Sequence, residues 1–158
     1  MSGLIVPHKG FVPKVARSAF IAPNATLVGD VEIGENSNLQ DGTVVHIAAR
    51  GLMTVVGRNV TVGHMALLHA CEVQDGAFIG MNSTVLDGAV VESEAMVAAG
   101  ALVAPGKIVR RGELWAGNPA RKLRDLTEKD FAEFRRIVAD YVTLARSYGV
   151  QEALKAAQ

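Results

Sequence analysis

The chain has 158 residues, enough for one domain with a sizeable core, and Lys plus Arg match Asp plus Glu at 16 each. That balance excludes any electrostatic pull on nucleic acid or an acidic membrane surface. Hydrophobic residues reach 49% but aromatics only 5%, with 16 glycines, so the apolar part is mostly Val, Ala, Leu and Ile. This mix favours many short stacked strands over a core of large rings.

In chain order, the opening stretch MSGLIVPHKGFVPKVARSAF has no long apolar run after a basic start. Neither a signal peptide nor a membrane span is expected. His8, beside Pro7, reads as a surface residue. Cys71 is the only cysteine, which rules out an intramolecular disulfide and points to a reducing, cytoplasmic setting.

From Val15 an aliphatic residue recurs every six positions: Ile21, Leu27, Ile33, Leu39, Val45. After an insertion the step resumes at Val56, Val62 and Leu68. It slips once more and then runs Val73, Ile79, Val85, Val91, Val97, Val103, Val109. Four residues after most of these stands a small or β-branched residue, such as Ala25, Thr43, Ala66 or Ala89. A period of six fits neither an amphipathic helix nor an alternating hairpin. It fits a chain that runs straight, turns and repeats, so that three steps close a triangular coil and stacked coils bury one aliphatic column. Asp75–Gly76 and Asp87–Gly88 suit the corners. The β-helix is thus expected over residues 1–112, with a turn and helix over 113–158 packed on it as one domain.

Leu114–Pro119 reads as a turn out of the last coil. Thr127, three residues before Asp130, is an N-cap with an acidic partner. Phe131, Phe134, Ile137, Val138, Tyr141, Val142, Ala145 and Tyr148 then follow at helical spacing, which reads as packing against the β-helix or a neighbouring subunit. Gly149 is the expected stop, with a short helix, QEALKAA, after it.

The register also places the histidines. His46 follows the inward Val45 by one residue, and His69 follows the inward Leu68 by one. Three coil sides separate them, so their side chains should stack on one face about 4.8 Å apart. His64 follows Val62 by two residues, on the preceding side, and should not reach an ion held by that pair. It could reach an ion held by the next subunit of a threefold trimer. Three imidazoles with an open position form a catalytic rather than a structural zinc pattern.

The segments NLQDGTVVH (Asn38–His46), VTVGHMALLH (Val60–His69) and GMNSTVLDGA (Gly80–Ala89) resemble the gamma-class carbonic anhydrases and their hexapeptide-repeat relatives. The resemblance implies a left-handed parallel β-helix with a C-terminal α-helix. It implies a homotrimer whose metal sites are shared between subunits, with His46, His64 and His69 holding Zn²⁺, or Fe²⁺ or Co²⁺. It further implies reversible hydration of CO2 to bicarbonate by a metal-bound hydroxide. Gln40 matches the family glutamine beside that hydroxide, a catalytic role, and Asn38 and Asp41 match supporting positions.

Two departures stand out. Val28 occupies the place of the family arginine that pairs with the aspartate matching Asp41, and an alignment that omits a whole coil lacks the arginine too. Arg50 or Arg58 is the expected substitute partner. The loop Ile47–Met53 is short and carries no carboxylate, so the acidic proton-shuttling loop of some relatives is missing. Two other readings are compatible with the sequence. One is a non-catalytic, metal-binding trimeric assembly protein. The other is a CoA-dependent acyltransferase or thioesterase, with which GNPA (Gly117–Ala120) is shared.

Overall fold

A computed structural model describes residues 3–48 and 51–156, with side chains described as far as 145. Among the described residues the chain forms a parallel β-helix of three sheets and one C-terminal helix. The first face stacks β1 (Leu4–Val6), β4 (Thr26–Val28), β7 (Val44–His46), β10 (Leu67–His69), β13 (Thr84–Val85) and β16 (Leu102–Val103). The second stacks β2 (Lys14–Val15), β5 (Val31–Ile33), β8 (Thr54–Val56), β11 (Glu72–Val73), β14 (Val90–Val91) and β17 (Ile108–Val109). The third stacks β3 (Phe20–Ile21), β6 (Asn38–Leu39), β9 (Thr61–Val62), β12 (Phe78–Ile79), β15 (Met96–Val97) and β18 (Glu113–Gly117), and β19 (Ala120–Asp125) closes it. Each strand from β1 to β15 pairs with the strand three places on, so one coil is three sides, as the period of six requires.

The aliphatic column is the core. From Ile21 to Val109 every residue of the six-step register is buried, Leu27, Leu39, Val45 and Leu68 completely. The small residues between them, Ala25, Thr43, Ala66 and Ala89 included, are buried with them. They must be small because two sides converge at each corner. Val15 is the exception: it lies in the first coil with 37% of its surface exposed.

Corners need one residue in the left-handed region, which Gly42 (φ 72°) and Gly88 (φ 68°) supply without strain. Gly42 has a second reason to lack a side chain, because a Cβ there would meet the Met65 sulfur of the next coil. Met65 itself holds φ 60°, at a cost of about 1–2 kcal/mol for a residue with a Cβ.

Two expectations are corrected at the C-terminal end. Leu114–Gly117 is not a turn: β18 extends the third face in parallel with β15, and Trp115 pairs with the inward Val97 and packs against the core. The turn is confined to Asn118–Pro119, after which β19 returns antiparallel. Nor does Gly149 stop the helix, since α1 runs unbroken over Glu128–Ala156.

The start of α1 is as expected. The Asp130 carboxylate accepts from the Thr127 backbone N–H at 2.7 Å and from both Arg124 guanidinium nitrogens at 2.8 and 2.9 Å. Arg124 first, then Thr127, hold the Asp130 carboxyl far below the usual carboxylate range. The apolar stripe lies on the third face. Phe134 is buried and stacks on Phe78 with ring centroids 4.9 Å apart, and Tyr141 meets Phe20 at 5.8 Å. Tyr148 lies outside the described side chains. Among the described residues no helix is long and apolar enough to cross a membrane.

Candidate metal centre

β7 and β10 pair so that His46 lies directly opposite His69, and their rings stack with centroids 5.4 Å apart and 7° between planes. The cause is the register. Val45 and Leu68 must point inward, so the next residue of each strand points outward and lands in the same column. One coil lower in that column is Val28, paired with His46. An apolar side chain therefore lies beside the histidines.

The ring nitrogens are sorted by their neighbours. His46 Nδ1 lies 2.5 Å from the Ile47 carbonyl oxygen, which can only accept, so Nδ1 bears the hydrogen. His69 Nδ1 lies 2.5 Å from Asp87 Oδ1. His64 Nδ1 faces Asp41 Oδ2 at 3.5 Å. In the stacked pair both Nδ1 atoms are hydrogen-bonded to acceptors, which leaves both Nε2 atoms with their lone pairs for a ligand. That donor set fits a divalent transition ion, for which neutral imidazole is a common ligand.

His64 sits in the corner Gly63–Ala66, between the third face and the first, beside Met65. Gln40 and Asp41 occupy the corresponding corner one coil below. His46 and His69 stand at the opposite end of the first-face strands. Among the described residues no three His, Cys, Asp or Glu side chains within the single chain gather around one metal position. The separation of His64 from the pair agrees with the sequence register.

Gln40 is nearly buried. Its Nε2 donates to Asn38 Oδ1 at 3.2 Å, and Asn38 Nδ2 donates to Thr61 Oγ1 at 3.0 Å. These two bonds orient the glutamine amide through Asn38 and the coil above. Arg58 does not pair with Asp41; its guanidinium holds Asp75 at 2.9 and 3.1 Å, because both belong to a corner of the next edge. Arg50 lies outside the described residues. Asp41 is left facing His64.

A cleft of about 420 Å³ opens over the stacked pair, lined by His8, Lys9, His46, Ile47, Ala48, Leu52, His69 and Asp87. His8 is thus not a plain surface residue. It is half-buried, with its ring 6.0 Å from that of His46. Pairing of β1 with β4 and a bond from the Gly29 N–H to the Val6 carbonyl bring it there. Nothing in its sequence neighbourhood marks this. Asp87 was legible only as a corner residue. Its approach to His69 follows from stacking one coil on the next.

No family model matches the chain. It is 41% identical to "Gamma carbonic anhydrase 1, mitochondrial" of Arabidopsis thaliana over 89% of this chain and 61% of that protein. The chain thus spans about three fifths of the length of that plant relative. It is 40% identical to a carbonic anhydrase of Geobacillus kaustophilus, over 92% of this chain and 91% of the other. Among solved structures, a hexapeptide transferase family protein from Anaplasma phagocytophilum superposes with a TM-score of 0.80 at 42% identity, covering 94% of this chain and 99% of that one.

Proposed function

Because this chain belongs to the gamma-class, carbonic-anhydrase-like hexapeptide-repeat family, we propose that it hydrates CO2 reversibly to bicarbonate and a proton. The site would use Zn²⁺, or Fe²⁺ or Co²⁺, held by His46 and His69 of one subunit and His64 of the next in a homotrimer. The observation that carries this reading is the stacked His46–His69 pair, with Nδ1 of both rings on acceptors and both Nε2 atoms left for a ligand.

When bound, the ion supplies Lewis acidity and a water nucleophile that ionises near pH 7. The chain's own residues do the rest. Ile47, Ala48 and Leu52 give the cleft an apolar wall suited to uncharged CO2. Gln40, oriented through Asn38 and Thr61, presents an amide that can accept from the attacking water or donate to the bicarbonate oxygens. Sharing is supported by the placement of His64, Gln40 and Asp41 at one edge of the first face and of the histidine pair at the other. A threefold arrangement brings the two edges together across each interface. Val44, Met65 and Met81, exposed at the His64 edge, supply apolar surface for that contact. A cytoplasmic location accompanies the proposal.

The test is metal content per chain in anaerobically purified protein, with CO2 hydration assayed on the same sample. About one ion per chain, with hydration abolished in His46→Ala, supports the enzyme. One ion without hydration turns the reading to a metal-binding assembly protein, the outcome the missing arginine and acidic loop would explain. A second reading rests on the His69–Asp87 contact, a carboxylate-backed imidazole of the kind that serves as general base in acyl transfer. Turnover of acetyl-CoA by the metal-free protein would favour it.

A further inference from the structure

We propose that Asp87 is a positioning residue, whose carboxylate fixes the tautomer and ring orientation of His69 and thereby sets the metal affinity of the site. This rests on the metal reading above. Three observations carry it.

The first is the contact itself, 2.5 Å between His69 Nδ1 and Asp87 Oδ1, which puts the carboxylate within hydrogen-bond reach of the ring nitrogen. The second is what the other corner carboxylates do. Asp75 accepts the Arg58 backbone N–H at 2.8 Å, and Glu92 accepts that of Arg111 at 2.9 Å, each tying its corner to a neighbouring coil. The Asp87 corner has the same backbone ties as the Asp75 corner but, among the described residues, no bond from its carboxylate to a backbone N–H. The Gly88 N–H donates to the Ala70 carbonyl at 2.7 Å, and the Asp87 carbonyl accepts from the Gly106 N–H at 2.9 Å. The side chain is therefore available, and it turns to the imidazole. The third is the symmetry of the histidine pair. His46 has its Nδ1 fixed by a backbone carbonyl, which no substitution removes. His69 depends on a side chain for the same service, so its orientation alone is open to mutation.

A ligand imidazole whose distal nitrogen loses its acceptor typically costs 10–100-fold in metal affinity. Asp87→Ala is expected to weaken binding of Zn²⁺ by that order, measured by chelator competition. Asp87→Asn keeps an acceptor oxygen without the charge and should fall between. Thermal unfolding of the metal-free variants should match wild type, and Asp87→Asn guards against a corner that fails to fold with alanine.

A second readout needs no metal. Nitrogen-15 NMR of the metal-free protein should show His69 as the Nδ1–H tautomer in wild type and as a tautomer mixture in Asp87→Ala, with His46 unchanged in both. An unaltered His69 tautomer in the variant, or wild-type zinc affinity in it, overturns the proposal. If wild-type protein takes up no metal, the functional reading fails, and the tautomer measurement still decides the role of Asp87.

Discussion

Leu68 and His69 are neighbours in one strand but belong to two different regions. Leu68 lies in the interior column, fully buried between Val45 and Val85 of the adjacent coils. His69 lies on the outer surface of the first face, stacked on His46 and partly open to solvent. One register governs both. The six-step aliphatic period holds the coil together, and the residue one step further is placed on the outside just as firmly. The interior can therefore carry stability while the exterior carries chemistry, with little energetic traffic between them. Coils below and above the pair have Val28 and Leu86 at this outward position, so the histidines interrupt an otherwise apolar stripe.

Substitutions that separate the two regions should differ in stability by an order of magnitude. Leu68→Ala leaves a cavity in a column with no room to collapse, and should cost about 2–5 kcal/mol in denaturant unfolding. A cost below 1 kcal/mol would mean that the column is not close-packed.

Gly29→Ala probes the seam between the regions. Gly29 holds φ 78°, and a Cβ there would approach Ile47 Cδ1 to 2.8 Å and His8 Cβ to 3.3 Å. About 1–2 kcal/mol of backbone strain is expected, together with weaker metal binding because Ile47 carries the acceptor for His46.

Thr127→Ala removes the cap of the helix and should cost about 1 kcal/mol. The same cap gives a pH dependence. The carboxyl of Asp130 is held far below its ordinary value by Arg124 and Thr127, so its contribution is present above about pH 4 and lost as the solution is acidified below that. Asp130→Asn should flatten that acid limb in thermal unfolding and leave metal binding untouched.

Smallest in stability and largest in function is His69→Ala. Unfolding of the metal-free protein should shift by no more than about 0.5 kcal/mol, while metal retention is lost. Unfolding as severe as that of Leu68→Ala would erase the distinction between the two regions.

Most of the architecture was legible because the period is strict. Every residue of the aliphatic register from Ile21 on is buried as read, and His46 and His69 face each other as counted. What escaped had no local signature. The β18 strand hides in LWAGNP because its glycine and proline look like a turn, although Trp115 still takes the register of the inward Val97. Gly149 reads as a stop, but a single glycine costs a helix only about 1 kcal/mol. His8 and Asp87 reach the cleft through pairing between coils, His8 from the segment after β1, outside the aliphatic register, and Asp87 from the coil above His69. The choice of Arg58 for Asp41 failed for a related reason, since charge complementarity in sequence ignores which edge of the prism each residue occupies.

The central claim is that one site takes ligands from two chains, and subunit complementation tests it most directly. His64→Ala and His46→Ala chains are each expected to form trimers without metal. Unfolded together and refolded as a mixture, they should recover bound metal and CO2 hydration at about a quarter of the interfaces, those that join an intact His46–His69 pair to an intact His64. No recovery in a mixture shown to contain mixed trimers would contradict the shared site, as would full metal retention by His64→Ala alone.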